Sequence, residues 1–246
     1  VAFTGGTIVV KPGDVREESA LLIRNGIVQD IVEQVPEGYR IIDVAGQYIY
    51  PGLIDYYTNY GMPAIPRPDG SRWRGPEVLS TTSEQATNAN EAIKSHVHAA
   101  ALFTSNKEQA EHYRQTGITA VASFSPDGLA RGTAFAALTD GGLANESILK
   151  QKIATHYSFD KGSSPQFVPV SRMGAVAVLR QTYLDAEWFG QQTPRPFADI
   201  SLDAWYANRE LPKVMTAFDW KTVLLADKLG DEFGDQFVIR GGGDEY

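Results

Sequence analysis

The fold is decided by the stretch Ile42-Asp43-Val44-Ala45-Gly46-Gln47-Tyr48-Ile49-Tyr50-Pro51-Gly52-Leu53-Ile54-Asp55, because the pattern of the chain changes within it. Before Pro51 the chain reads as short β-rich runs, and the Asn25-Gly26 pair between two of them favours the positive φ angles of a two-residue hairpin turn. These runs predict a small antiparallel sheet or a sandwich. After Pro51, strand-type runs alternate with segments of helical periodicity, which predicts a parallel sheet with helical crossovers.

The α/β part has a predicted order of elements. Strands are expected at residues 53–57, 118–124, 133–139, 213–218 and 236–240. Helices are expected at residues 90–103, 106–116, 145–152, 171–192, 201–209 and 221–233, the fifth with Ser201 as its N-cap. The stretch 61–83 is rich in Pro, Gly, Ser and Arg and predicts a long loop, and loops of that length in compact domains are often functional.

Composition excludes several classes of function. The 246 residues carry 22 Lys and Arg against 30 Asp and Glu, a net charge of −8, which argues against an extended basic groove for nucleic acid. The chain has no Cys, so disulfides, thiolate nucleophiles and Cys-ligated metals are excluded. The sequence holds no run of about 18 apolar residues, so no membrane span is predicted. The compartment stays open between cytoplasm and periplasm.

The stretch from Ile42 to Asp55 resembles the amidohydrolase superfamily, in which a small β-sandwich domain precedes a (β/α)8 barrel and the Pro-Gly-Leu-Ile-Asp run forms the first barrel strand. Pro212–Phe218, Leu224–Gly234 and Val238–Gly241 resemble barrel strand 5, the following helix and strand 6 of the imidazolonepropionase-like branch. The resemblance implies an α/β fold with two parts. These are a β-sandwich portion at residues 1–50 and a partial (β/α)8 TIM barrel of the metal-dependent hydrolase type at residues 51–246, with about strands 1 to 6.

The resemblance also implies an activity, the hydrolysis of C–N bonds, including those of cyclic amides, by water activated on zinc or another divalent metal. The family holds that metal with a His-x-His pair at the end of strand 1 and further ligands at the ends of strands 5 and 6. The first pair of positions holds Tyr57 and Asn59 in this chain, the strand 5 position falls at Thr216 or Phe218, and the strand 6 position falls at Gly241, beside Arg240. Phe and Gly side chains do not ligate metals, and a guanidinium repels a dication, so we predict that the metal site is degenerate and holds no metal.

Loops that follow barrel strands line the active-site face, and this rule selects the candidate pocket. Its residues are Tyr57, Asn59, Asp127, Arg131, His156, Lys161, Thr216 and Arg240. The loops around Asp127 and His156 have two interpretations, contact with a ligand or a structural role in tying loops together. Nothing in the sequence fixes a nucleophilic triad of His156, Ser158 and Asp160, so no catalytic residue is assigned.

Two other motifs have a structural interpretation. His96 and His98 form a His-x-His pair, but residues two apart on the predicted helix point about 200° apart, so we expect no shared ion. Arg240-Gly241-Gly242-Gly243 has the composition of a phosphate cradle, yet it lacks a strand–loop–helix fingerprint, and a turn at the strand end is favoured.

Three functional hypotheses remain at the level of sequence. The chain is a ligand- or partner-binding pseudoenzyme, a hydrolase with a rearranged site, or the structural half of a larger assembly formed with a second copy or a paralogous amidohydrolase. A small molecule is the expected ligand. A barrel alone takes about 250 residues, so a chain of 246 residues that also contains a sandwich portion is expected to be a fragment of a longer one.

Overall fold

The computed structural model describes residues 1–66 and 76–244, and the chain divides into two compact units, residues 1–53 and 54–246. The predicted loop at residues 61–83 is free of helix and strand at residues 62–66 and 76–83, and its central part lies outside the described residues.

The first unit contains two small sheets. Its strands are β1 (Ala2–Thr4), β2 (Thr7–Lys11), β3 (Asp14–Arg16), β4 (Ala20–Arg24), β5 (Ile27–Val32), β6 (Ile41–Asp43) and β7 (Tyr48–Ile49). They form sheets of order β5-β4-β1-β6 and β3-β2-β7. Asn25 and Gly26 have φ angles of 54° and 75°, as the predicted hairpin between β4 and β5 requires. Both sheets are mixed, because β6 pairs parallel to β1 and β7 pairs parallel to β2. The prediction of a single antiparallel sheet was therefore wrong, whereas two small sheets are consistent with the predicted sandwich.

The second unit is built on one sheet whose strands lie side by side in chain order. They are β8 (Leu53–Thr58), β9 (Ile118–Ser123), β10 (Ala130–Leu138), β11 (Ile148–Ser158), β12 (Lys213–Thr216) and β13 (Phe237–Arg240). Strands β11, β12 and β13 run parallel to one another, and helices connect them in the described chain. The mixed α/β class is thereby confirmed.

Strand β10 breaks the predicted parallel pattern, because it is antiparallel to both β9 and β11. The helix expected at residues 145–152 is a single turn, α3 (Ala144–Ser147), and β11 begins directly after it at Ile148. A connection that short joins antiparallel strands, whereas parallel neighbours need a crossover of a dozen or more residues. As a result the amino end of β10 lies at the same edge of the sheet as the carboxyl ends of β9 and β11.

The remaining helices lie within two residues of their predicted bounds, with one exception. They are α1 (Ala99–Leu102), α2 (Lys107–Gln115), α4 (Arg172–Gln191), α5 (Ile200–Ala207) and α6 (Trp220–Phe233). The helix predicted at residues 90–103 was wrong apart from α1, because this segment bridges to β10 through Ile93 and His98. Helix α5 is capped by Asp199, not Ser201, since the Asp199 carboxylate accepts from the backbone N–H groups of residues 201 and 202. Within the described chain, no helix combines the length and apolar character needed to cross a bilayer.

Alternation along the strands separates an apolar face from a polar face of the sheet. Tyr157 and Met215 pack against the side chains of α4, α5 and α6, among them Leu179 and Trp205. A strand turns successive side chains to opposite faces, so His156, Thr216 and Arg240 lie on the face away from these helices. That face carries the predicted site.

Candidate functional site

The register of the sheet brings the ends of three strands together. Ser158, Thr216 and Arg240 are paired across β11, β12 and β13. Tyr57 lies one residue before the end of β8, and Arg131 is the second residue of the reversed strand β10. Four of the predicted site residues are in contact here, and we call them the guanidinium cluster: Tyr57, Arg131, Thr216 and Arg240.

Arg131 is held in this cluster by neutral acceptors. Its Nη1 donates to the Tyr57 hydroxyl at 3.3 Å and to Thr216 Oγ1 at 3.2 Å. Its Nε donates to the carbonyl oxygen of Gly128 at 3.2 Å. The Tyr57 and Thr216 hydroxyls also bond to each other at 2.8 Å. The guanidinium is therefore fixed in position although its only acceptors within the described chain are uncharged.

Arg240 approaches Tyr57 from another direction. Its Cζ lies 4.6 Å from the centroid of the Tyr57 ring and 5.2 Å from that of Phe218. Both distances are within the range of cation–π attraction. Tyr57 thus has one guanidinium at its hydroxyl and a second over its ring.

The cluster carries two positive charges without an acidic partner. In the part of the chain that the structure describes, no Asp or Glu oxygen lies within 4.0 Å of a nitrogen of Arg131 or Arg240. Arg131 is only 7% exposed, and this desolvation lowers its pKa, which the hydroxyl of Tyr57 and the more distant charges of Asp160 and Asp127 partly offset. A guanidinium remains protonated in proteins, so the cluster is a partly buried, positively charged centre.

His156 lies beside the cluster as a neutral aromatic ring. It is 2% exposed, stacks on Phe124 with ring centroids 3.8 Å apart, and lies 5.8 Å from the Tyr57 ring. Its Nδ1 has no hydrogen-bond partner among the described residues. Burial, and secondarily the charge of Arg131, lowers the pKa of His156 to about 3, so the imidazole is uncharged at neutral pH.

Asp127 belongs to a separate network, which we call the loop clamp: Lys94, Asp127 and Ser163. Asp127 Oδ2 accepts from Lys94 Nζ at 2.5 Å and from Ser163 Oγ at 2.6 Å, and its Oδ1 accepts from the backbone N–H of Ser163 at 2.7 Å. Burial raises the pKa of Asp127, but these hydrogen bonds outweigh burial and hold it below the usual value. The bonds join the loop after β9 to the loop after β11, which matches the loop-tying interpretation of Asp127.

Two other predicted residues lie away from the guanidinium cluster. Lys161 Nζ donates to the backbone carbonyls of Gln166 and Phe167, and its side chain lines a cavity of about 540 Å³ with Phe159 and Arg172. Asn59 is exposed and lines a different cavity of about 370 Å³, formed with the side of α2. Strand β8 ends at Thr58, so the alternation that would have aligned Asn59 with Tyr57 stops before it.

A nucleophilic triad is not formed by His156, Ser158 and Asp160. Ser158 Oγ donates to the backbone carbonyls of Gly128 and Asp160, and neither bond involves the imidazole. His96 and His98 bond to different hydroxyls, those of Ser201 and Thr133. The two imidazoles therefore have separate partners, although the helical reason given for this from the sequence was wrong.

The residues present do not fit a divalent metal at this edge of the sheet. The cluster offers two hydroxyls already bonded to each other and two guanidiniums that repel a cation, whereas zinc sites in proteins use imidazole, thiolate or carboxylate ligands. Among residues 1–66 and 76–244 there is no grouping of three or more His, Asp or Glu side chains that could hold an ion. No metal-dependent step is therefore derived for this chain.

Four residues around these networks were not predicted from the sequence. Phe124 stacks on His156 and Phe218 packs under Arg240. Lys94 and Ser163 complete the loop clamp. Phe124 and Phe218 are the last residues of the strands predicted at 118–124 and 213–218, which is a usable signal, whereas Lys94 was assigned to a helix and gave none.

Comparison with solved structures shows the class of fold. The chain superposes on an amidohydrolase from Thermotoga maritima MSB8 with a TM-score of 0.75 and 18% sequence identity, covering 98% of this chain and 64% of that one. The structure is therefore a mixed α/β fold of the amidohydrolase type, with part of a (β/α)8 barrel sheet and the small sheets of a β-sandwich. The chain spans less than two thirds of the length of this relative.

Other solved structures are less similar. An amidohydrolase matches with a TM-score of 0.42 and 13% identity over 93% of this chain and 59% of its own. A prolidase complexed with N-methylphosphonate-L-proline matches with a TM-score of 0.41 and 16% identity over the same shares. Such scores are too low to support a fold assignment. No protein-family model and no curated protein sequence matches the chain.

Proposed function

We propose that this chain is a member of the amidohydrolase superfamily, of the imidazolonepropionase-like branch, that has lost the metal site and binds a small molecule without hydrolysing it. The C–N bond hydrolysis typical of the family is the activity that has been lost. One observation carries the proposal. Where the resemblance puts metal ligands, the chain places Tyr57 and Thr216 bonded to each other and to Arg131, with Arg240 over the Tyr57 ring.

Electrostatics gives the physical reason. Two positive charges interact unfavourably at short range, and the effect is strongest where water is excluded. A dication at the position of the Tyr57 hydroxyl would lie beside the buried guanidinium of Arg131, with the half-buried guanidinium of Arg240 over the Tyr57 ring. The same field favours a negatively charged or electron-rich ligand.

A hydrolase with a rearranged site is less well supported. It would need Tyr57, Asn59, Asp127, His156, Lys161 and Arg240 to converge on one substrate. Asn59 lines a separate cavity, and Asp127 is occupied by Lys94 and Ser163. His156 is neutral and 2% exposed, so it is poorly placed to receive a proton from a substrate.

A second candidate function is that of a structural half in a larger amidohydrolase assembly. Strands β8 and β13 each have a single sheet neighbour within the described residues, and an unpaired strand edge is a template for further pairing. A longer parent chain, a second copy or a paralogous amidohydrolase would each supply that edge. Copurification of a metal-bearing paralogue with tagged protein, at equal stoichiometry, would support this candidate over a binding protein that acts alone.

Metal analysis tests the main proposal. The protein is purified from cells grown with added zinc, iron and manganese, and its metal content is measured by mass spectrometry. We expect less than 0.1 metal ion per chain (on the order of background loading), and no change in thermal unfolding on addition of a chelator. The Arg209→Gln variant, which changes an exposed arginine over Tyr206, is the control for nonspecific effects.

Activity measurement completes the test. A panel of cyclic amides and N-acyl amino acids is incubated with the protein in the presence of each metal. We expect no turnover above that of the buffer. Stoichiometric metal together with turnover of any of these compounds would contradict the proposal.

A further inference from the structure

We infer that the guanidinium cluster binds the carboxylate group of a small organic acid with an apolar body. This inference rests on the proposed function, because it assigns a ligand class to the site that the metal has left. It depends on three features of the cluster: its unbalanced charge, its remaining hydrogen-bond donors and the apolar side chains next to it.

The charge of the cluster requires a counterion. Arg and Lys are rarely buried in proteins without a partner, because removing a charge from water is unfavourable unless an opposite charge compensates. Arg131 is 7% exposed, and its hydrogen bonds to residues 1–66 and 76–244 go to two hydroxyls and a backbone carbonyl. A bound anion would supply the missing compensation for Arg131 and for Arg240 together.

The donors point to a carboxylate. The structure gives Arg131 Nη2 no hydrogen bond to a described residue, and the guanidinium of Arg240 has only aromatic contacts in that part of the chain. A guanidinium presents its N–H groups in a planar fork that matches the two oxygens of a carboxylate. Tyr57 and Arg240 are half-buried, so the cluster is open to solvent on one side.

The surroundings favour an organic acid over inorganic phosphate. Phe218 is 55% exposed and lies under the guanidinium of Arg240. Val238 is 52% exposed and lies on the same face of β13 as Arg240, two residues away. An exposed apolar surface next to a pair of cations matches a ligand with an acidic head and an apolar body.

Calorimetric titration of the full chain provides the test. Benzoate is the probe, benzamide is its uncharged analogue of the same shape, and inorganic phosphate represents an anion without an apolar body. We expect saturable binding of benzoate and no detectable binding of benzamide, because benzamide lacks the negative charge. Phosphate is expected to bind at least ~10-fold more weakly than benzoate, because it has no apolar body to contact Phe218 and Val238.

Variants locate the binding site. Arg240→Gln is expected to weaken benzoate binding by ~10-fold or more. Arg209→Gln removes an arginine that also covers a tyrosine, with Cζ 4.1 Å from the Tyr206 ring, and is expected to bind benzoate like the unchanged protein. Because Arg240 is half-buried, circular dichroism of each variant is used to check that the fold is kept. Tyr57→Phe, which keeps the ring and removes the hydroxyl, is a second variant of the same site whose benzoate binding is measured.

The possible results separate this inference from the proposed function. Equal affinity for benzoate and benzamide, tighter binding of phosphate, or equal effects of Arg240→Gln and Arg209→Gln would each overturn the carboxylate assignment. No binding of any probe by metal-free, inactive protein would overturn the carboxylate assignment and leave the loss of the metal site standing. Stoichiometric metal with turnover would overturn the proposed function itself.

Discussion

The guanidinium cluster and the loop clamp lie at the same edge of one sheet but balance their charges differently. In the loop clamp, the Lys94 ammonium meets the Asp127 carboxylate at 2.5 Å, and Ser163 supplies two further donors to the same carboxylate. In the guanidinium cluster, Arg131 meets two hydroxyls and a carbonyl, and Arg240 meets two aromatic rings. The first network has its own counterion, and the second has none within the described chain.

This difference separates a structural network from a binding network. A buried charge whose partners are all in the protein helps to hold loops in place, and a ligand of opposite charge would gain little interaction energy from it. A buried charge with neutral partners keeps an electrostatic preference that a ligand of opposite charge can satisfy. The loop clamp joins the loops after β9 and β11, and the charge of the guanidinium cluster supports the proposed binding of an anion.

The largest expected effect is the response of His156 to acid. Its pKa is about 3 in the folded protein and 6.5 in an unfolded chain, so the unfolded state takes up a proton first as the pH falls. The neutral form of His156 therefore stabilises the folded state fully above pH 6.5. This contribution to the free energy of unfolding is lost between pH 6.5 and about 3, at roughly 1.4 kcal/mol per pH unit and about 5 kcal/mol in total. Urea unfolding between pH 7 and 4.5 should show this slope in the unchanged protein and a smaller one in His156→Gln.

The pH range also distinguishes the two networks. The pKa of Asp127 is lowered, so the stabilisation by the loop clamp is present above the usual Asp pKa of 3.8 and is lost only as the pH falls below that value.

His112→Gln is the control for His156→Gln, since His112 is exposed in α2. Equal slopes for His156→Gln and His112→Gln would show that His156 is not buried in a neutral form beside Arg131.

A smaller but still large loss of stability is expected when the loop clamp is opened by Gly162→Ala. Gly162 has a φ of +62°, and a Cβ at this residue would lie 2.0 Å from Asp127 Oδ1 and 2.5 Å from the backbone nitrogen of Gly128. The substitution combines left-handed strain with a displaced carboxylate and should cost about 3 kcal/mol in the free energy of unfolding.

Gly234→Ala is the matched control for this substitution. Gly234 has a φ of +71° at the end of α6, and a Cβ there meets nothing within 4 Å. It should cost only about 1 kcal/mol, the strain alone. If urea unfolding gave equal losses in the free energy of unfolding for the two variants, the contact between the new Cβ and Asp127 would add no cost, and the loop clamp would be able to move aside for it.

The smallest effect compares the cations of the two networks directly. Lys94→Met leaves the Asp127 carboxylate without its ammonium and should lower the free energy of unfolding by about 2 kcal/mol. Arg131→Met removes a cation that has no carboxylate partner among the residues that the structure describes, and it should cost less than about 1 kcal/mol in the absence of ligand. Unfolding of both variants in urea is the measurement, and a larger loss for Arg131→Met would show that the guanidinium is already compensated in the folded chain.

Local patterns predicted much of the fold from the sequence. Asn25-Gly26 identified its hairpin because few other residue pairs tolerate two positive φ angles. The strand predicted to end at Arg240 ends there in the structure. The direction of β10 was not predictable in the same way. Three consecutive polar residues, Lys150, Gln151 and Lys152, interrupt the alternation of apolar and polar residues that would indicate a strand from Ile148 onward. The segment was therefore assigned to a helix.

The site was predictable only in part, because the spacing of residues along a strand predicts the direction of a side chain only within the strand and not in the loop that follows it. Tyr57, Thr216 and Arg240 lie on strands, near the strand ends from which the pocket was selected, and the structure brings the three side chains into contact. Asn59, Asp127 and Lys161 lie in loops, where partners from distant segments decide the orientation. Ser163, which follows Asp127 by 36 residues, is such a partner, and no local rule connects the two.

The reversed strand β10 also bears on how the second unit folds. Strands β9, β10 and β11 are consecutive in sequence and form an antiparallel meander without a long crossover. By contrast, about fifty residues that contain α4 and α5 separate β11 from β12. Short loops close at a lower entropic cost than long ones, and contacts between near neighbours form sooner. Residues 118–158 are therefore the segment from which this half of the molecule is expected to assemble, with the later strands added to an existing edge.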